Sequence, residues 1–274
     1  MTLEGEFYRY QSGSLTPAEE LLDEVKLAAA DSWLVENGRV RSLRAHEQRF
    51  GNWVENAAPE LKSELPAFFS EVSKIMPREG RWFPRIELHL EDVETPSLYV
   101  RIRKAPEQLG AIRLYTYPEP DPRQHPTIKG PDLSLCMQLR RNAQMHSADE
   151  TVLVDEEGFI SEGALTSIVW LKNNILFAPD RSNQWLDSIT RKEVFEIAKQ
   201  CNLEIKQVRA KPQDLENAEV WALSSLQGIR PVTAWNDEDG NPTIKVAGPK
   251  RFESFCKRLR MLAAPLDEIE SLNI

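Results

Sequence analysis

Apolar residues along the chain fall into short strand patterns with a few helices between them. Ser32-Trp33-Leu34-Val35-Glu36-Asn37-Gly38-Arg39-Val40-Arg41 predicts a hairpin, because Asn-Gly supplies the positive φ angles of a type I′ turn. Residues 43–56 predict a helix, with Phe50, Trp53 and Val54 at helical spacing. Residues 83–90, 98–102 and 112–117 alternate like strands. Further on, Leu135, Leu139 and Ala143 mark a helix face, and 151–154 and 159–161 read as strands around a Glu-Gly turn. A second hairpin, 167–172 and 175–178, turns through Asn173-Asn174. Val194, Ile197, Ala198 and Cys201 follow the spacing of an amphipathic helix. Residues 220–223 form a short apolar strand, and 249–263 a basic amphipathic helix, most simply docked at the end of the fold.

One stretch interrupts these patterns. Residues 117–126, Tyr-Pro-Glu-Pro-Asp-Pro-Arg-Gln-His-Pro, hold four prolines, too many for a helix or a central strand. It reads as an interdomain linker at 119–125. That gives a small α+β domain over 1–118 and a larger α/β domain over 126–274, an α/β protein of two domains.

Composition narrows the class. With 274 residues, 41% apolar and 28% charged, the chain is of globular type. No apolar run approaches a membrane span, and the first ten residues lack the layout of a secretory signal. A net charge of −9 argues against nucleic acid as a partner. Three scattered cysteines, Cys136, Cys201 and Cys256, argue against a disulfide framework and for a reducing, cytoplasmic setting. Cys136 and Cys201 fit as small buried hydrophobes. The four histidines show no metal-ligand spacing, so no metal is expected. There is no Walker loop, no G-x-G-x-x-G and no G-x-S-x-G.

The candidate chemistry lies in an ordered series. Lys129 stands in His-Pro-Thr-Ile-Lys-Gly, and Glu162 follows 33 positions later in Phe-Ile-Ser-Glu-Gly-Ala. Ser188-Ile189-Thr190 then opens a helical pattern, where Thr190 with Glu193 fits a capping box. An amine, a carboxylate and a helix start whose N–H groups suit a phosphate are what pyridoxal 5′-phosphate needs. By default a lone lysine is a surface residue, and a strand-end carboxylate is solvated. Only their joint order singles them out. Arg191 and Lys192 in the helix's first turn oppose its dipole, which is less awkward beside an anion.

Across about residues 34–232, and densely over 129–196, this series resembles the class IV aminotransferases, the fold-type IV pyridoxal-phosphate enzymes. The resemblance implies a Schiff base at Lys129, a ring-nitrogen partner in Glu162 and phosphate binding at Ser188, Ile189 and Thr190. His46-Glu47-Gln48-Arg49-Phe50 is similar to the family element whose arginine contacts the phosphate, which places the active site between the domains. In Leu223-Ser224-Ser225-Leu226-Gln227-Gly228-Ile229-Arg230-Pro231-Val232, Ser225, with Ser224 beside it, matches a further phosphate-binding hydroxyl. Arg101 and Arg230 are candidate clamps for the substrate carboxylate. The activity implied is amino transfer from an amino acid to a 2-oxo acid by a homodimer. Two departures stand out. Ser188 replaces the usual glycine, and Asp132, Leu133 and Ser134 occupy the stretch where branched-chain members carry a tyrosine. The second departure favours the aminodeoxychorismate-lyase side of the family, which releases 4-aminobenzoate and pyruvate. A protein that kept the fold without the chemistry is a third possibility.

Overall fold

The computed structural model describes residues 5–19, 26–90 and 96–271. The chain forms two compact units. The first comprises residues 1–107, 128–131 and 262–274, and the second residues 108–127 and 132–261.

The first unit is built on a five-stranded antiparallel sheet. Its strand order is Ser14–Pro17, Glu6–Gln11, Pro96–Ile102, Arg85–Leu90, Lys26–Ser32. One sheet face packs on the helices Leu43–Ala57 and Leu65–Ile75, whose Phe50, Val54, Phe68 and Val72 meet Ile86, Leu88, Leu98 and Val100 in a single core. The expected hairpin forms, pairing Val35 with Val40 and Glu36 with Arg39, with Asn37 at φ 49° and Gly38 at φ 70°. Late in the chain, Ala263–Pro265 pairs with Arg39–Arg41, and Leu266 enters the core.

The second unit carries a nine-stranded mixed sheet. Ile112–Thr116 lies parallel to both Glu150–Val154 and Gly228–Asn236, and Ile175–Pro179 lies parallel to Glu204–Val208. The second expected hairpin forms through Asn173 and Asn174, both at positive φ. The helices Leu133–Met145, Ile189–Gln200 and Phe252–Met261 form where the apolar spacing placed them. Cys136 is buried, which pushes its thiol up to about 12, whereas Cys201 caps the Ile189–Gln200 helix and is only half-buried.

The division differs from the expected 1–118 and 126–274. The prolines do not mark the boundary. The Ile112–Thr116 strand is already paired within the second unit, and the proline-rich stretch hydrogen-bonds there too, Tyr117 N to Val152 O and Asp121 N to Val154 O. Residues 128–131 and 262–274 belong instead to the first unit.

Candidate active site

Lys129 belongs to the first unit, in a short segment laid against the Lys26–Ser32 strand. Its carbonyl accepts the Ala30 N–H at 2.7 Å. Gly130 follows at φ +133°, and a Cβ there would meet Ala30 N at 2.8 Å and the Ala29 carbonyl carbon at 2.9 Å. Only glycine allows this close approach, so Gly130 fixes the lysine's backbone on the strand.

The next strand residue, Asp31, is fully buried and accepts four hydrogen bonds. They come from Arg49 Nε and Nη2, each at 2.8 Å, from the ring Nδ1 of His46 at 2.8 Å, and from Ser32 N at 2.7 Å. Burial alone would raise the Asp31 carboxyl. The charges and hydrogen bonds of Arg49 and His46 override it and hold it well below the usual carboxylate range. Arg49 and His46 project from the Leu43–Ala57 helix. The structure therefore gathers Lys129 and Arg49 around one strand, with Arg49 docked on Asp31.

Arg101 is also in this unit, buried, with its guanidinium 4.4 Å from the centroid of Phe7 and 3.8 Å from Glu87. Around it Arg85 and His89 bind the two oxygens of Glu87. Three basic side chains thus surround one carboxylate.

The other candidates lie in the second unit. Glu162 is 4% exposed on the Ile160–Gly163 strand. Arg123 Nη1 at 2.7 Å and Leu186 N at 2.9 Å both donate to its Oε1. Among the described residues nothing donates to Oε2, so a rigidly held carboxylate keeps one acceptor oxygen. Burial pushes the Glu162 carboxyl up, and the Arg123 charge opposes it. Arg123 is in turn bonded to Asp121, and although burial works against its charge, these partners raise its pKa. Sequence reasoning missed Arg123, which sits in the proline-rich stretch. The one available signal was an arginine flanked by prolines a few residues before the lysine.

Asp132 explains how that stretch is held. Its carboxylate accepts Gln124 N at 3.3 Å and His125 N at 2.7 Å. The position where branched-chain members carry a tyrosine region thus serves here to brace the backbone between Arg123 and Lys129.

The Ile189–Gln200 helix starts as expected, but its cap is Ser188, not the Thr190–Glu193 box. The Ser188 side chain accepts Arg191 N at 3.2 Å. Helix geometry leaves the N–H groups of Ile189 and Thr190 without intrahelical acceptors. Both residues are buried, so these donors suit a desolvated anion. The awkward charge of Arg191 is accommodated on the Trp185 ring, 3.4 Å from its centroid, and burial pulls the guanidinium down to about 10.

Ser224 ends the Glu219–Ser224 strand, and its hydroxyl accepts Gln227 N at 3.2 Å. Ser225 follows in the half-buried turn. Arg230 is committed to backbone: its Nε and Nη2 donate to the carbonyls of Gly110 and Ala111 at 2.9 and 2.6 Å. That geometry ties the start of one strand to its neighbour and leaves little of Arg230 for a substrate carboxylate.

Within the second unit, an oxygen on a fixed carboxylate and a buried helix start suit a phosphorylated pyridine; within the first, a lysine is pinned by its backbone. The family model for Amino-transferase class IV matches residues 28–235. The chain belongs to the class IV aminotransferases. An 84-residue stretch is 34% identical to the probable branched-chain-amino-acid aminotransferase of Rickettsia bellii, covering 31% of this chain and 29% of that protein. An 85-residue stretch is 32% identical to the aminodeoxychorismate lyase of Bacillus subtilis, covering 31% and 29%. The aligned stretches thus span under a third of these curated relatives. The fold IV transaminase of Curtobacterium pusillum aligns over 97% of this chain and 98% of its own, with a TM-score of 0.71 at 17% identity. The class IV chain accordingly has the fold of the fold IV transaminases. Among its described residues no helix is long and apolar enough to cross a membrane.

Proposed function

We propose that the chain is a pyridoxal 5′-phosphate-dependent aminotransferase that moves an amino group from an amino acid to a 2-oxo acid, with Lys129 as its catalytic amine. The observation that carries this reading is the single free oxygen of Glu162, whose other oxygen is fixed by Arg123 and Leu186 N. Bound cofactor supplies the electron sink for a carbanion at the substrate Cα. The chain's residues do the rest. Glu162 Oε2 would accept a hydrogen bond from the cofactor's ring N–H, with Arg123 fixing the carboxylate's orientation. The Ile189 and Thr190 N–H groups bind the phosphate, joined by the Ser225 hydroxyl. Lys129 would hold the cofactor covalently, and its amine would take and return the Cα proton as general base and acid. Arg101 is the better placed of the two candidate substrate-carboxylate clamps, since Arg230 is spent on backbone carbonyls. A cytoplasmic homodimer is the expected form, checked by sedimentation mass.

The test is cofactor loading, borohydride reduction and peptide mapping. A label on Lys129 supports the reading; a label elsewhere, or none, defeats it. The lyase is a second reading, favoured by Asp132 standing in the segment that otherwise carries a tyrosine. A single addition of amino donor without acceptor separates the two. A transaminase releases about one equivalent of 2-oxo acid per site and stops, whereas a lyase turns over aminodeoxychorismate continuously to pyruvate.

A further inference from the structure

We propose that Trp185 is a positioning residue for Glu162: it clamps the segment that presents the Leu186 N–H to the carboxylate. The inference rests on the reading of Glu162 as the ring-nitrogen partner given above, and every group it uses lies in the second unit. Residues 180–188 join the Ile175–Pro179 strand to the Ile189–Gln200 helix and contain no helix or strand of their own. No ladder or helical turn therefore fixes the Leu186 N–H, although it donates to Glu162 Oε1 at 2.9 Å. Side chains must do so. Asn183 holds the middle of the segment, donating to the Phe159 and Ile160 carbonyls at 3.1 and 3.3 Å. Trp185, next to Leu186, is buried and is held by both its edge and its face. Its Nε1 donates to the Asp180 carbonyl at 2.6 Å, where the segment leaves the strand. Asp180 is itself tied down, its N–H on Val208 O at 3.2 Å. The ring face carries the guanidinium of Arg191, 3.4 Å from the centroid, in the first turn of the helix. One indole thus bridges the two ends of the segment.

Arg191 marks this stack as more than filling. It is 3% exposed, and among the described residues no ion pair closes on it. A buried guanidinium without a carboxylate depends on the π face for stabilisation that water would otherwise give. A carboxylate in that place would neutralise it, whereas the indole leaves its charge standing. Burial pushes the Glu162 carboxyl up, and the Arg191 charge is among those that oppose this. The clamp therefore reaches one carboxylate by two routes, through the Leu186 N–H and through a cation held in place.

The test uses two cofactor forms that differ only at the ring nitrogen, pyridoxal 5′-phosphate and its 1-deaza analogue, which has C–H there. Both keep the phosphate and the aldehyde, so the ratio of their affinities for the apo-protein isolates the Glu162 contact. It is measured by absorption titration for the parent, Glu162→Gln, Trp185→Leu, Trp185→Phe, Arg191→Met and the double variant Trp185→Leu with Arg191→Met, each checked for folding by circular dichroism. Trp185→Leu should cut the preference for pyridoxal 5′-phosphate about tenfold or more, the effect of spoiling one hydrogen bond to a charged group. Trp185→Phe keeps a face for Arg191 and loses only the Nε1 bond, so it should cut the preference less. The double variant should fall no further than the worse single one, because the two side chains act as one clamp. Should Trp185→Leu not fold, Trp185→Phe and Arg191→Met carry the comparison, both with a lowered ratio. A parental ratio in the folded Trp185 variants, whatever happens to the two affinities together, would make the stack packing alone and overturn the proposal. Additive losses in the double variant would overturn it too. A parent without preference, or a Glu162→Gln that keeps it, would instead overturn the reading of Glu162 on which the proposal stands.

Discussion

Replacing Arg123 by alanine would leave the Glu162 carboxylate charged in a site where it is 4% exposed. Breaking a buried pair from one side costs about 3–5 kcal/mol, since the remaining charge has neither water nor a partner. Urea unfolding of Arg123→Ala should show a loss of that order. Adding Glu162→Gln should return part of it, because the neutral amide needs no counter-ion. Glu162→Gln alone should keep much of its bound cofactor, seen by absorption, and lose most of its turnover. Equal turnover in variant and parent would remove Glu162 from the ring-nitrogen role. Lys129 and Glu162 could be proposed from the sequence because each sits in a local motif and their spacing is a linear property. Arg123, Asp31 and Trp185 could not. Their roles arise only when a strand, a loop and a helix bring distant polar groups into contact, and no periodicity records such a meeting.

Ser188 stands where the family usually has glycine, and the structure shows what the hydroxyl does there. It caps the Ile189–Gln200 helix through Arg191 N. Ser188→Ala should cost about 1 kcal/mol, and Ser188→Gly only a few tenths. In a chain of this size that is a fall of about 2–4 °C in Tm for the alanine variant and little for the glycine variant, read by thermal denaturation. A larger loss with glycine than with alanine would show that capping is not the reason for the serine. Elements whose faces alternate cleanly, or whose turns need Asn-Gly or Asn-Asn, were legible in advance. The Lys26–Ser32 strand was not, because its Leu-Ala-Ala-Ala core carries no alternation and alanine has little strand preference. Glu204–Val208 was missed for a different reason. It lies at the end of the sheet order, with charged Glu204 and Lys206 on either side of a lone Ile205.

The pH dependence of the molecule's stability should bear the mark of Glu150. It is buried beneath the Glu162–Gly163–Ala164 stretch, accepts Thr151 N and Leu165 N, and burial pushes its carboxyl up to about 7. The folded state therefore holds a proton that the unfolded chain releases near its ordinary value. That contribution is complete below about pH 4.5 and is lost as pH rises to about 7, worth about 3 kcal/mol in all. Asp31 works in the opposite sense. Its depressed carboxyl stabilises the fold above the ordinary carboxylate range and loses that effect as pH falls into strong acid. Urea midpoints at pH 5 and pH 7 should thus differ less in Glu150→Gln than in the parent. An unchanged difference would mean that Glu150 does not change its protonation between these pH values. The division into units was the least legible feature of all, because a proline count cannot reveal which strand a later segment will pair with. That later segment has its own consequence. Leu266 completes the core of a unit whose first strand begins at Glu6, and its N–H bonds Gly38 O. On a translating ribosome, the first unit must therefore wait with an open hydrophobic seam until Leu266, far downstream of its first strand, has emerged. Chaperones that guard nascent chains would have their longest task on this first unit.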